Sequence, residues 1–302
     1  MLKLDFCKKD MLKTPKKSGL LNKGRHVSGK AIGTLGFCTS WAVDVRGKAP
    51  EWLEVTQLNL HLPNLRSQFK GLRLVHISDL HYSRIVSGKY LQHCIERINL
   101  LDADIVVLTG DYITHDIKGR FREKVANLLG SIQNRFGVYA CLGNHDYGVG
   151  GMFKNKVRDL LEQMIDSMEN NGVNILRNDS SVLEVDGQGL WLVGLGDLWA
   201  KDFDPEKAFK NVPEDEAVIA LMHNPEGMKY LHKSSANVVM SGHTHGVCHE
   251  HSTKLGWSKR KRDFHAGLYN VRGKKLYVNR GLGRLGRARF NARPEITVCT
   301  LH

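Results

Sequence analysis

Seven side chains of metal-ligand type, Asp79, His81, Asp111, Asn144, His223, His243 and His245, stand just past the ends of short apolar runs. An isolated His-x-His such as His243 and His245 is more often a pair of loop histidines on a surface. Here five successive runs end in the same way, in SDLH (78–81), GD (110–111), GNHD (143–146), His223 and GHTH (242–245). Carboxylate, imidazole and amide donors without thiolate form a borderline-hard set, suited to manganese, iron or zinc better than to calcium. Seven donors exceed what one tetrahedral zinc takes, so two divalent transition-metal ions are the expected cofactor, manganese favoured, with one carboxylate shared. Two such ions roughly 3.5–4 Å apart clamp a phosphoryl oxygen and supply hydroxide at neutral pH. Glycines 110, 143, 242 and 246 are expected to turn the backbone tightly at this layer.

The runs that must position these residues alternate with stretches of helical periodicity. The pattern predicts strands over 72–77, 105–108 and 138–142 and helices over 89–101, 121–134 and about 153–171, with the last helix stopping at Gly172. From Val173 onward strands follow more closely, over 174–176, 182–185, 190–193, 218–222, 237–240, 276–279 and 296–301. Early βαβ units followed by strand-rich sequence imply an α/β fold with more than one sheet, and open α/β sheets place ligand sites at the carboxyl ends of their strands. Met164 and Met168 lie at core spacing in the long helix and mark no cofactor box.

The ordered motifs DLH, GD, GNHD, His223 and GHTH resemble those of the calcineurin-like metallophosphoesterases over about residues 70–300. The resemblance implies a four-layer αββα sandwich with two mixed β-sheets and a dinuclear site at the strand ends. It also implies one metal on Asp79, His81, Asp111 and His245 and another on Asp111, Asn144, His223 and His243. In the tail, LYVNRGLG (276–283), Arg289 and RPEITVCTL (293–301) look like the bacterial subgroup that includes UDP-2,3-diacylglucosamine hydrolases of lipid A biosynthesis. The expected activity is therefore metal-dependent hydrolysis of a phosphoric ester or pyrophosphate. The alternatives are a general phosphodiesterase, or an inactive protein that binds lipid or nucleic acid on the same scaffold. His145, directly after a ligand, is the expected general acid for the leaving group, and Asp146 is expected to orient it through the other ring nitrogen.

Composition limits the partners. The 302 residues carry a net charge of +13, concentrated in residues 1–30 (nine Lys/Arg against two Asp) and 254–293 (thirteen against one). The remainder is net acidic. Such patches favour a phosphorylated small-molecule or lipid-linked substrate and peripheral contact with an anionic membrane. Trp257, Phe264 and Tyr269 stand near KRKR (259–262), yet no RNA-binding module accompanies them, which disfavours nucleic acid. If the late basic segment folds over the metals it would grip phosphate; if it lies outward it would touch the membrane. The domain reading is a basic arm over 1–50 and a metallophosphoesterase domain over 51–302.

Six scattered cysteines without a CxxC pair suggest neither disulfides nor a thiolate zinc site. The stretch 31–45 is too short and polar to span a bilayer, so a cytoplasmic protein, peripheral at the inner membrane face, is expected. Gly281, Gly283 and Gly286 spell a dinucleotide fingerprint with too little chain after it for a βαβ unit. Cys248, His249 and His251 read as a solvated cluster. Nothing in the sequence indicates an oligomeric state.

Overall fold

In a computed structural model, residues 52–114, 116, 118–149, 158–246, 263–284 and 292–302 are described. The basic arm, Cys248, His249, His251, the KRKR run and Gly286 lie outside them.

Twelve strands among the described residues form two mixed six-stranded sheets. The first contains β1 (Glu54–Leu60), β2 (Arg73–Ile77), β3 (Ile105–Thr109), β4 (Val138–Cys141), β5 (Val173–Ile175) and β12 (Glu295–Leu301), in the order β1-β12-β2-β3-β4-β5. Strands β2 to β5 run parallel, and β12 pairs antiparallel with β2. The second contains β6 (Asp179–Val185), β7 (Gln188–Gly194), β8 (Ala217–Leu221), β9 (Val238–Ser241), β10 (Gly267–Val271) and β11 (Lys274–Val278), in the order β10-β11-β9-β8-β7-β6. Its centre, β11-β9-β8-β7, is parallel, and both edges are antiparallel.

Strands β3 and β8, central in their sheets, are apolar except for Thr109 at the end of β3, because both of their faces are covered. In β3, Ile105 and Val107 point between the sheets while Val106 and Leu108 point to the helices, and all four are buried. The inner layer joins these to Leu192, Ile219, Leu221 and Met240 of the second sheet. On the outer face of the first sheet lie α1 (Gly88–Asn99), α2 (Arg122–Gly130) and α3 (Arg158–Asn170). Helix α1 buries Leu91, Cys94, Ile95 and Ile98, one stripe at helical spacing. Its first turn is capped by Ser87, whose hydroxyl accepts from the Tyr90 amide, a contact worth about 1 kcal/mol. The outer cover of the second sheet is thin, built on α4 (Pro205–Phe209) and a 3-10 helix, Pro225–Tyr230. This is the four-layer sandwich with two mixed sheets.

Two strands escaped the sequence pattern, β1 and β10. Both lie at sheet edges and are only partly buried, so their sequences EVTQLNL and GLYNV lack a sustained apolar run. Helix α2 ends at Gly130 rather than near 134, where the Ser131 hydroxyl donates to the Leu128 carbonyl and closes the last turn. Met164 and Met168 are core residues, and among the described residues no helix is long and apolar enough to cross a membrane.

Candidate metal centre

Register places the ligand-bearing ends at one level. Ile77 pairs with Leu108 and Leu108 with Ala140, so Asp79, Asp111 and Asn144 all emerge just beyond the same edge of the first sheet. Leu221 pairs with Met240, which brings His223 and His243 to the matching edge of the second. Two bonds lock the edges together: the His243 amide donates to Asp79 Oδ2 (2.9 Å), and His223 Nδ1 donates to the Thr109 carbonyl (2.6 Å). The structure thus brings all seven expected side chains together.

In Asp79, Asp111 and Asn144 the candidate ligand oxygen is turned inward because the other polar atom of the side chain is taken. Asp79 Oδ2 accepts from the Ser78 hydroxyl (2.6 Å) as well as from His243, leaving Oδ1 buried without a hydrogen-bond donor. Asp111 Oδ1 accepts the His145 amide (2.8 Å), which presents Oδ2. Asn144 Nδ2 donates to the Val149 carbonyl (3.0 Å), which presents Oδ1. Around one centre, Asp79 Oδ1 lies 3.4 Å from His245 Nε2 and 3.7 Å from His81 Nε2, and the two imidazole nitrogens are 3.1 Å apart. Around the other, His223 Nε2 lies 3.2 Å from both Asp111 Oδ2 and His243 Nδ1, and His243 Nδ1 lies 3.1 Å from Asn144 Oδ1. Asp111 Oδ2 is also 3.6 Å from His81 Nε2, so one carboxylate faces both groups. Donors held about 2.1 Å from a cation at near-right angles must sit roughly 3 Å from one another, as these do.

The backbone is bent to achieve this. Asp79, His81, Asp111, His243 and His245 all have φ between 51° and 71°. Such left-handed residues cost of order 1–3 kcal/mol each and persist where the surroundings impose them. Gly110 and Gly246 also take positive φ, as expected, but Gly143 and Gly242 do not. Those two serve by leaving room, since a Cβ on Gly143 would collide with the Asp111 carboxylate and one on Gly242 with Ser78 and Asp79. The loop read as a false dinucleotide fingerprint fastens the same layer: the Leu282 amide donates to the Ser78 carbonyl (2.9 Å) and that of Gly283 to the Asp79 carbonyl (2.6 Å).

The calcineurin-like phosphoesterase family profile matches residues 72–247, which span all seven side chains. This chain belongs to the calcineurin-like phosphoesterases. Among its relatives is the UDP-2,3-diacylglucosamine pyrophosphatase LpxG of Chlamydia muridarum, 31% identical over 301 residues, with 82% of this chain and 89% of the relative covered. The phosphodiesterase YaeI of Escherichia coli is 27% identical, covering 83% and 89%. Among solved structures, the phosphopantetheinyl hydrolase PptH of Mycobacterium tuberculosis aligns over 70% of this chain and 89% of that one, at 12% identity and TM-score 0.45. As a calcineurin-like phosphoesterase the chain is a metal-dependent phosphoester hydrolase.

In the phosphoesterase site buried carboxylates and imidazoles set one another's charge. Burial pushes the Asp111 carboxyl up, but the His223 and His145 rings beside it more than reverse this and hold it well below the carboxylate range. Asp79 is held low in the same way, with burial opposed chiefly by the His245 ring and further by the nearby His81 and His223 rings. Burial lowers His223, yet the Asp111 carboxylate raises it further, to about 10.

His145 stands against the cluster, its ring 5.1 Å from that of His81 and edge-on to it. Its expected partner does not hold it. Both Asp146 oxygens are taken by backbone amides, Oδ2 by Asp111 and Gly143 (both 2.8 Å) and Oδ1 by Tyr112 (2.9 Å). His145 Nδ1 instead donates to the Thr114 carbonyl, 3.0 Å away. Asp146 therefore staples the end of β3 to the turn after β4, and Thr114 sets the ring. Burial and the Asp111 charge push the Asp146 carboxyl up to about 7, against the pull of the amides. The loop carrying Thr114 is pinned in turn by Asp116, which accepts the Arg120 and Phe121 amides and pairs with buried Arg122 at 2.9 Å.

A sixth strand end went unread. Strand β7 is followed by Gly196 and Asp197, the same signal as the other five. Asp197 is buried, its Oδ1 accepts the Ala200 amide (2.8 Å), and its Oδ2 has no hydrogen-bond partner. Burial, with a smaller contribution from Asp111, raises its carboxyl to about 6 against the pull of His223. Two residues on, Trp199 meets His243 edge-to-face, ring centroids 4.4 Å apart.

Proposed function

We propose that this phosphoesterase holds two divalent ions and hydrolyses the pyrophosphate of a lipid-linked nucleotide, with UDP-2,3-diacylglucosamine in lipid A biosynthesis as the favoured substrate. Asp79, His81, Asp111 and His245 hold one ion; Asp111, Asn144, His223 and His243 hold the other. The observation that carries the reading is Asp111 Oδ2 facing His81 Nε2 and His223 Nε2, at 3.6 and 3.2 Å, with no thiol among the donors. The carboxylate, amide and imidazole mixture fits manganese, iron or zinc, with manganese preferred for the oxygen share.

When bound, the ions supply positive charge for the phosphoryl oxygens and acidify the attacking water. The water oxygen bonds to phosphorus as the bond to the bridging oxygen breaks. His145, with Nδ1–H on the Thr114 carbonyl, is set to deliver a proton from Nε2 to the departing oxygen. The Asp111 carboxylate, fixed by the His145 amide, keeps that acid and the ions in register.

The named substrate comes from the LpxG relative, and the basic segments suit phosphate-rich headgroups at an anionic membrane surface. A second reading, a phosphodiesterase of other esters, draws on the YaeI relative. Manganese-dependent turnover of UDP-2,3-diacylglucosamine, compared with cyclic nucleotides and simple diesters, separates them. Release of UMP at a kcat/KM well above the diesters supports the first reading; equal or better diester cleavage supports the second.

A further inference from the structure

We infer that Trp199 is a substrate-binding residue whose indole stacks on a planar ring carried next to the scissile phosphate, the base of a nucleotide. This rests on reading the site as a phosphoesterase centre and adds which chemical group is recognised beside it.

Trp199 is 42% exposed, although an indole is among the most favourable side chains to bury. It is not idle surface, because its ring lies 4.4 Å from that of His243 at an interplanar angle of 88°, at the rim of the ligand cluster. The loop that presents it is held from several sides. Asp197 accepts the Ala200 amide through its side chain and the Asp202 amide through its carbonyl (3.2 Å). Asp202 Oδ2 accepts from the Tyr147 hydroxyl (2.6 Å) and Arg177 Nε (2.7 Å), and the Asp202 carbonyl accepts from Asn178 Nδ2. A fixed, half-exposed aromatic surface loses little entropy on meeting a ligand.

The surroundings favour a ring over an acyl chain. An acyl chain needs a continuous apolar wall, whereas the exposed neighbours along this loop are the charged Lys201 and Asp204. One flat ring followed along the chain by charged side chains offers a single stacking place. Bases of any kind stack on such a ring, with little dependence on sequence or substituent.

The test compares uridine 5′-monophosphate with ribose 5-phosphate as inhibitors of manganese-dependent hydrolysis of p-nitrophenyl phosphate, or as ligands by calorimetry if turnover is absent. The two differ only in the base. In the wild type the nucleotide should bind about tenfold or more tighter. Trp199→Ala should bring the two within about twofold of each other, and Trp199→Phe should keep most of the preference. Because both probes carry the same phosphate, damage to the metal layer through His243 moves both affinities and leaves their ratio intact. A wild-type ratio near one, or a ratio unchanged in Trp199→Ala, overturns the assignment and leaves Trp199 as packing for His243. A Trp199-dependent ratio in a protein that hydrolyses nothing would keep this inference while removing the proposed activity.

Discussion

Asp111 Oδ2 lies 3.2 Å from His223 Nε2, joining a strand end of the first sheet to one of the second across the metal layer. No sequence-local device produces that contact; it needs both sheets complete and in register. The site is consequently a readout of the whole sandwich.

Asp111→Asn should be the most damaging single change at the ligands. The amide removes the shared negative charge from both groups, so bound manganese should fall from two ions per chain to one or fewer. Turnover should drop at least about a thousandfold, in the upper part of the range that loss of one catalytic group explains. Metal analysis after gel filtration, paired with initial rates, checks this; full metal content in the variant would remove Asp111 from the shared position.

His145→Ala should keep both ions and lose turnover in proportion to how poor the leaving group is. With p-nitrophenolate, which needs little protonation, a loss of about tenfold is expected; with an alkyl ester, about a hundredfold to ten-thousandfold. An equal loss on both would show that His145 acts on the ions or on binding and not as the acid.

Gly242→Ala should be far more harmful than a methyl group suggests. The added carbon meets the Ser78 hydroxyl and the Asp79 carboxylate, neither of which can retreat in a packed layer. Destabilisation of about 1–3 kcal/mol and weakened binding at the His81 and His245 side are expected. Gly187→Ala offers the contrast: nothing crowds that position and only its φ of +70° resists, so metal affinity should be unchanged. Urea unfolding and metal titration of the two variants give the comparison.

Stability of the metal-free protein should fall with acid through His76. Burial lowers this imidazole from 6.5 to about 4, against the smaller opposing charges of Glu295 and Asp79. Between those values the unfolded chain binds the proton and the folded chain does not, so the contribution is complete above about pH 6.5 and is lost as pH drops toward 4. From pH 7 to 4.5 the loss should be about 2 kcal/mol from this group. His76→Gln should show a shallower decline than wild type by that amount in urea titrations with chelator present. Parallel declines would assign the acid sensitivity to other groups.

The seven side chains that cluster were legible because each sits just after a strand buried on both faces, where a polar residue has no packing reason to occur. The strands were legible for the same reason, and β1 and β10 were not, since an edge strand with a partly exposed face need not be apolar. The partner of His145 could not be read, because a backbone carbonyl such as that of Thr114 leaves no mark in residue type. Asp146 next to His145 suggested a pair, but the turn directs its carboxylate back to the amides of Asp111, Tyr112 and Gly143. Asp197 and Trp199 did leave a signal, a polar residue and an aromatic past the end of β7, and following a sixth strand end would have found them.

The most direct measurement is anomalous diffraction at the manganese edge from crystals grown with the metal. Two peaks about 3.5–4 Å apart are expected, both in contact with Asp111, one also with Asp79, His81 and His245 and the other with Asn144, His223 and His243. A single peak, or a pair that leaves Asp111 outside the coordination of either ion, would contradict the dinuclear centre.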